Sequence, residues 1–194
     1  MMAEDPEVLR DEVRRRAELN IARAGELLML SSWLQGQMSD LLILRENPAV
    51  LAEFIAKPET VPTIVSARRM VRWERTFTAV VQEFEQTFQR TLSVQHSKDL
   101  HSLVFIRNGL AHAHVSMGRD YLLYRPSGGA AKIRRLIETL ELKQVVDQSN
   151  PLVIKFALWN DDRYLPTFAL ITRLDQDCFS HLAREVGIPH SRIR

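Results

Sequence analysis

The segment Leu103-Val104-Phe105-Ile106-Arg107-Asn108-Gly109-Leu110-Ala111-His112-Ala113-His114 delivers an arginine, an amide and two histidines at the end of an apolar run. Each polar type has a use at an RNA phosphate. The guanidinium of Arg107 carries a fixed charge on a planar fork of donors, suited to a phosphate or to the extra charge of a pentacoordinate transition state. An imidazole exchanges a proton near neutral pH, so His112 can serve as general acid or base. Asn108 precedes His112 by one helical turn and shares its face of a regular helix, where its amide can orient the ring. Arg107 and His112 lie about 140° apart around an ideal helix. They meet at one phosphate only if the helix ends or distorts at Gly109, or if a second subunit completes the site. His114 offers a second histidine close by.

Other groupings point less far. The arginine–histidine spacing alone is repeated by Arg90 with His96 and by Arg184 with His190. His112 and His114 are two potential metal ligands, but the sequence places no carboxylate to complete a site. Ser127-Gly128-Gly129 lacks the Lys-Ser/Thr that a phosphate-cradling loop needs. There is no nucleophile-elbow serine. The lone Cys178 excludes an intramolecular disulfide and fits a reducing compartment. No metal and no cofactor is expected.

The elements that must carry these residues follow from the apolar spacing. A long first helix is expected, with Asp5 as cap, Pro6 at the first helical position and an end near Arg45-Glu46-Asn47-Pro48. Leu27, Leu34 and Leu41 are spaced by sevens, as are Ala24, Ser31 and Met38, the pattern of a helix laid along another in a bundle or across a dimer. A short helix over 49–56 and a connector over 57–62 come next. A second long helix from Thr63 is expected to present Trp73, Phe77, Val80, Phe84, Phe88 and Leu92 to the core. The motif helix is expected over 97–113, with Ser97 and Asp99 near its cap. Beyond it the pattern changes. A strand is read over 120–125, a turn at Pro126-Ser127-Gly128-Gly129, a helix over 132–142 and a strand within 152–159. The stretch 164–174 fits either strand or helix. A last helix is expected after Asp175, stopping at Gly187 with Pro189 beyond. The fold class is therefore mainly α, an antiparallel helical bundle over 1–117 with a small mixed α/β C-terminal extension over 118–194 packed on the same domain.

The balance of 45% hydrophobic and 26% charged residues is that of a globular chain, and the net charge of +2 permits an RNA substrate without implying one. The basic runs Arg14-Arg15-Arg16, Arg68-Arg69 and Lys132-Ile133-Arg134-Arg135 read as solvated helix faces. The N-terminus lacks a signal-peptide core and no run is apolar enough to span a bilayer, so a cytoplasmic location and no membrane partner are expected.

Arg107-Asn108-x-x-Ala111-His112 at the end of a helix, after a long first helix, resembles the signature of the HEPN family. That family includes RNase toxins of toxin–antitoxin and phage-defence systems. The resemblance implies a homodimer that brings two motifs into one cleft and cleaves RNA without a metal, using the RNA's own 2′-hydroxyl. It assigns Arg107 to the scissile phosphate, His112 to proton transfer, Asn108 to their support and His114 to an auxiliary position. It also implies an antitoxin or other defence-system partner. Many HEPN domains have lost cleavage and act as RNA-binding or dimerisation modules, which is the alternative expectation. Some HEPN toxins carry a modifiable tyrosine two residues after the histidine. His114 stands there in this chain, and it has no hydroxyl to modify.

Overall fold

The computed structural model describes residues 6–57, 59–115, 119–147, 150 and 152–194. The fold is mainly α, as expected. The helices are α1 (Pro6–Glu46), α2 (Leu51–Ala56), α3 (Thr63–Trp73), α4 (Phe77–Phe88), α5 (Val94–Ala111), α6 (Gly129–Thr139), α7 (Asp161–Arg173) and α8 (Ser180–Val186). The strands β1 (His114–Val115), β2 (Leu122–Tyr124) and β3 (Ile154–Phe156) form an antiparallel sheet in that order. The expected cap Asp5, the connector residue Pro58 and the expected boundary at 117/118 lie outside the described residues. The chain forms two compact units, one of residues up to Met29 with His101–Leu170, the other of Leu30–Leu100 with Ile171–Arg194.

The first unit holds the motif. Leu27 of α1, Leu103, Ile106 and Leu110 of α5, Ile133 and Ile137 of α6, and Leu122, Ile154 and Phe156 of the sheet are buried. Burying strand backbone demands partners for its polar groups. Asn20, on α1 and buried, supplies two at the end of β3 and just beyond it: its amide donates to Phe156 O at 3.1 Å, and its oxygen accepts from Leu158 N–H. Arg23, one turn on, donates to Leu158 O at 2.7 Å and to Asp161 Oδ1 at 2.6 Å, fixing the passage from β3 into α7. The turn before α6 depends on Gly128 and Gly129, whose φ values of 113° and 76° lie in the region that favours glycine.

In the second unit Leu34, Met38, Leu41, Phe77, Val80, Phe84 and Phe88 are buried, and Phe84 meets Phe88 and Phe179 at centroid distances of 4.9 and 5.5 Å. The seven-residue spacing of α1, including Leu27, Ala24 and Ser31, is thus used inside the chain as core. The expected single helix from Thr63 is two. Thr76 takes an extended conformation (ψ 150°) and its hydroxyl accepts from Ala79 N–H at 3.2 Å, capping a new helix where α3 would have continued. As a result Trp73 leaves the core and is 65% exposed. The motif helix starts earlier than expected, at Val94, with Ser93 Oγ accepting from His96 N–H. Asp99 is no cap: it is buried in mid-helix and takes both arms of Arg173, at 2.6 and 2.8 Å. The ambiguous stretch 164–174 is helical, and the last helix does not begin afresh after Asp175. It continues from α7 through a π-helical turn, Leu174–Phe179, into α8. It stops at Gly187 (φ 93°), as its glycine predicted. Among the described residues, no helix is long and apolar enough to cross a membrane.

Candidate functional site

The motif occupies the last turns of α5, and Gly109 explains how that helix is held. Gly109 is buried; a Cβ there would stand 2.8 Å from Phe156 Cζ, 3.1 Å from Phe156 Cε2 and 3.3 Å from Tyr124 Cδ1. One turn earlier on the same face, Phe105 meets Tyr124 edge-on at 6.4 Å, and another turn back Ser102 Oγ donates to Leu140 O at 3.1 Å. Phe105 and Gly109 therefore form the seam by which the helix lies on β2 and β3, and Ser102 ties the same face to the end of α6. Only a residue without a side chain admits the Phe156 ring this close.

Consequently Gly109 does not break the helix. α5 runs on to Ala111, and His112 N–H still donates to Asn108 O at 3.1 Å before Ala113 N–H closes on Leu110 O at 3.3 Å. Arg107 and Asn108 are half-buried and joined, Arg107 Nη1 donating to Asn108 Oδ1 at 3.1 Å. His112 is exposed one turn beyond Asn108 on the same face, at the helix end. Arg107 and His112, separated by five residues of regular helix, point about 140° apart. The structure thus couples Arg107 to Asn108 and aligns Asn108 with His112. The positions of Arg107 and His112 on the helix are set about 140° apart around its axis.

His114 lies elsewhere. It is exposed on β1, paired with Leu123 of β2, which is paired in turn with Lys155 of β3. These three side chains share the sheet face turned away from α5, because the neighbouring row, Val115–Leu122–Phe156, carries the Phe156 ring that packs on Gly109. Tyr121 belongs to the outward face too: Lys155 Nζ stands 5.2 Å from its ring centroid, and Arg119 Cζ 5.7 Å. Sequence reasoning passed over Tyr121, Arg119 and Lys155. Period-two alternation through Tyr121 and Leu123 was the signal for the first, whereas Lys155 is joined to them only by a strand pairing across more than thirty residues of chain.

The second unit contains a polar cluster that sequence spacing did not find. Asp175, buried on the π-helical turn, accepts from Gln37 Nε2 at 3.0 Å and pairs with Arg194 Nη2 at 2.8 Å. His190 Nε2 lies 3.0 Å from Gln37 Oε1 and 3.1 Å from Asp175 Oδ1. Burial lowers the His190 pKa, and Arg194 adds to this; together they outweigh the attraction of Asp175, so the contact is a hydrogen bond from a neutral ring. An open cleft of about 770 Å³ in the first unit is lined by Lys143, Asn160, Asp161, Arg163 and Pro166 among others, and by none of the motif residues. Among the described residues, no three His, Cys, Asp or Glu side chains are grouped to hold a metal ion. Comparison with family models, with curated proteins and with solved structures finds no match.

Proposed function

We propose that this chain is a metal-independent endoribonuclease of HEPN type that works as a homodimer. The observation that carries the reading is the joined Arg107–Asn108 pair on a rigidly seated helix end, with His112 exposed one turn beyond. An RNA 2′-hydroxyl attacks the adjacent phosphorus and the bond to the 5′-oxygen breaks, leaving a 2′,3′-cyclic phosphate and a 5′-hydroxyl. Arg107 offsets the charge gathering on the phosphoryl oxygens, and His112 moves the proton that the hydroxyl loses or the leaving oxygen gains. Asn108 holds the guanidinium and faces the imidazole. Because α5 is regular through Gly109, the two roles are filled at one phosphate by residues of two chains related by a two-fold axis. A toxin or phage-defence effector in the cytoplasm, held in check by an antitoxin or another component of its system, is the setting we propose. The family resemblance supports it, and the single cysteine fits a reducing compartment.

A non-cleaving HEPN-like module that binds RNA or dimerises is favoured by a different observation, that Arg107 is half-buried, which limits its reach to a bound phosphate. Cleavage of RNA by the purified protein in EDTA separates the two readings. Wild type is expected to release cyclic-phosphate ends. Arg107→Ala and His112→Ala, matched to it in circular dichroism and urea midpoint, are expected to lose about 10²–10⁴-fold in rate. No cleavage by wild type turns the reading to the binding module. Equal cleavage by all three removes the motif from the chemistry altogether.

A further inference from the structure

The sheet face turned away from α5 gathers groups that nucleic acid uses. The register sets His114, Leu123 and Lys155 abreast across β1, β2 and β3. Tyr121 stands beside them with cations at 5.2 and 5.7 Å from its ring centre. We infer that this face binds single-stranded RNA, one base stacking on Tyr121 while Lys155, Arg119 and His114 meet the flanking phosphates. The polymer's identity rests on the endoribonuclease reading; the surface itself is argued from its own residues.

Three features of the geometry support this. First, an aromatic ring on an open sheet face, flanked by cations, is the arrangement that holds unpaired bases, since every base has a π-face and the backbone is anionic. Arg119 is exposed and sits too far from the ring for close stacking, so a base can take its place while its guanidinium turns to a phosphate. Its Nη1 now donates to the Tyr121 hydroxyl at 2.6 Å, a solvent-facing bond that is cheaply exchanged. Second, the carboxylates nearby are weak competitors. Asp147 faces Lys155 at 3.5 Å with both side chains partly in water, where an ion pair contributes little, and Asp120 is 3.6 Å from Arg16. Third, the chain passes directly from His112 through Ala113 to His114, so the face begins no more than about 7 Å of extended backbone from the motif.

Stacking on one ring reads no base edge, so the surface is expected to be tolerant of sequence and selective for unpaired strands. The test is fluorescence anisotropy with a labelled, fully 2′-O-methylated oligonucleotide, which cannot be cleaved through its 2′-hydroxyl, and with the same strand in a duplex. Wild type is expected to bind the single strand more tightly. Tyr121→Ala should weaken that binding about tenfold, within the range for losing one stacked base, and Tyr121→Phe should stay close to wild type. Lys155→Gln should flatten the dependence of log K on log salt by about 0.7, the value for one single-strand phosphate contact. Absence of binding by wild type, preference for the duplex, or unchanged binding by Tyr121→Ala and Lys155→Gln overturns the inference. Cleavage of ordinary RNA, measured on the same preparations, keeps the two readings apart. Binding lost in Tyr121→Ala with no cleavage by wild type upholds the surface and rejects the nuclease. Cleavage with kcat and KM unchanged in Tyr121→Ala rejects the surface and upholds the nuclease.

Discussion

Replacing Gly109 with alanine tests how the motif helix is seated, and the structure allows its effect to be worked out. In the interior of a helix, alanine is favoured over glycine by about 1 kcal/mol, because it loses less backbone freedom on folding. At position 109 the added Cβ would stand 2.8 Å from Phe156 Cζ, closer than such carbons come. The ring cannot swing aside: Phe156 is fully buried, and its carbonyl is held by Asn20. Overfilling a packed site of this kind costs about 1–3 kcal/mol. Gly25 provides the matched control. It lies in α1 of the same unit and is exposed, and its added Cβ would meet nothing within 4 Å. Gly25→Ala should therefore show the propensity gain alone, raising stability by about 0.5–1 kcal/mol. Gly109→Ala should come out between neutral and about 2 kcal/mol destabilised. The gap between the two variants isolates the packing term, since the helix preference is common to both. Urea unfolding followed by far-ultraviolet circular dichroism measures both midpoints, with unchanged slopes as the check on equal exposure. If Gly109→Ala gains as much as Gly25→Ala, the ring does not rest on the helix, and the account of why glycine stands in the motif fails.

Two more outcomes follow from the second unit. Burial, and then the charges of Asp99 and Asp177, push the Cys178 thiol up to about 12, so at pH 8 the thiolate is about one part in ten thousand. Alkylation should be very slow in the native protein and complete in urea; rapid native labelling would show the site to be open. For His190 the folded pKa lies below the ordinary imidazole value, so the unfolded chain binds the extra proton first. The stability that this contributes is whole above about pH 6.5 and falls away as the pH drops through the folded value. Urea midpoints of wild type should decline over that acid window more steeply than those of His190→Gln, and parallel curves would contradict the assignment.

Much of the architecture could be read from spacing because it is local. The heptad-like series in α1, the buried Phe77, Phe84 and Phe88 of α4, and the glycine stop at 187 each depend on neighbours within a few turns. What escaped was set by particular contacts. Thr76 splits a continuous apolar pattern with one side-chain hydrogen bond, and Trp73 falls outside the core as a result. The π-helical turn keeps α7 and α8 in one run, although Asp175 and the residues around it look like a helix start. At the candidate site the residues of the motif were legible but their arrangement was not. Gly109 reads as a place where a helix can bend, and only the position of Phe156, forty-seven residues later, shows it to be a seat for a ring. The outward sheet face was invisible for a like reason, since Lys155 meets Tyr121 through a pairing that no local pattern encodes.

The unbroken helix also narrows how any chemistry at this motif can work. Had α5 kinked at Gly109, one chain could have folded Arg107 and His112 onto a single phosphate. With regular geometry carried through to the His112 N–H bond on Asn108 O, the two side chains diverge by about 140°. The seven-residue seam of α1, which the sequence offered for pairing two chains, is already buried inside its own chain. Any two-fold contact must therefore use another surface, one that leaves the end of α5 facing the partner's motif. Under the proposed reading, assembly and cleavage become a single property. The rigidity that Gly109 gives the helix end is what lets two chains, rather than one flexible chain, define where the phosphate sits.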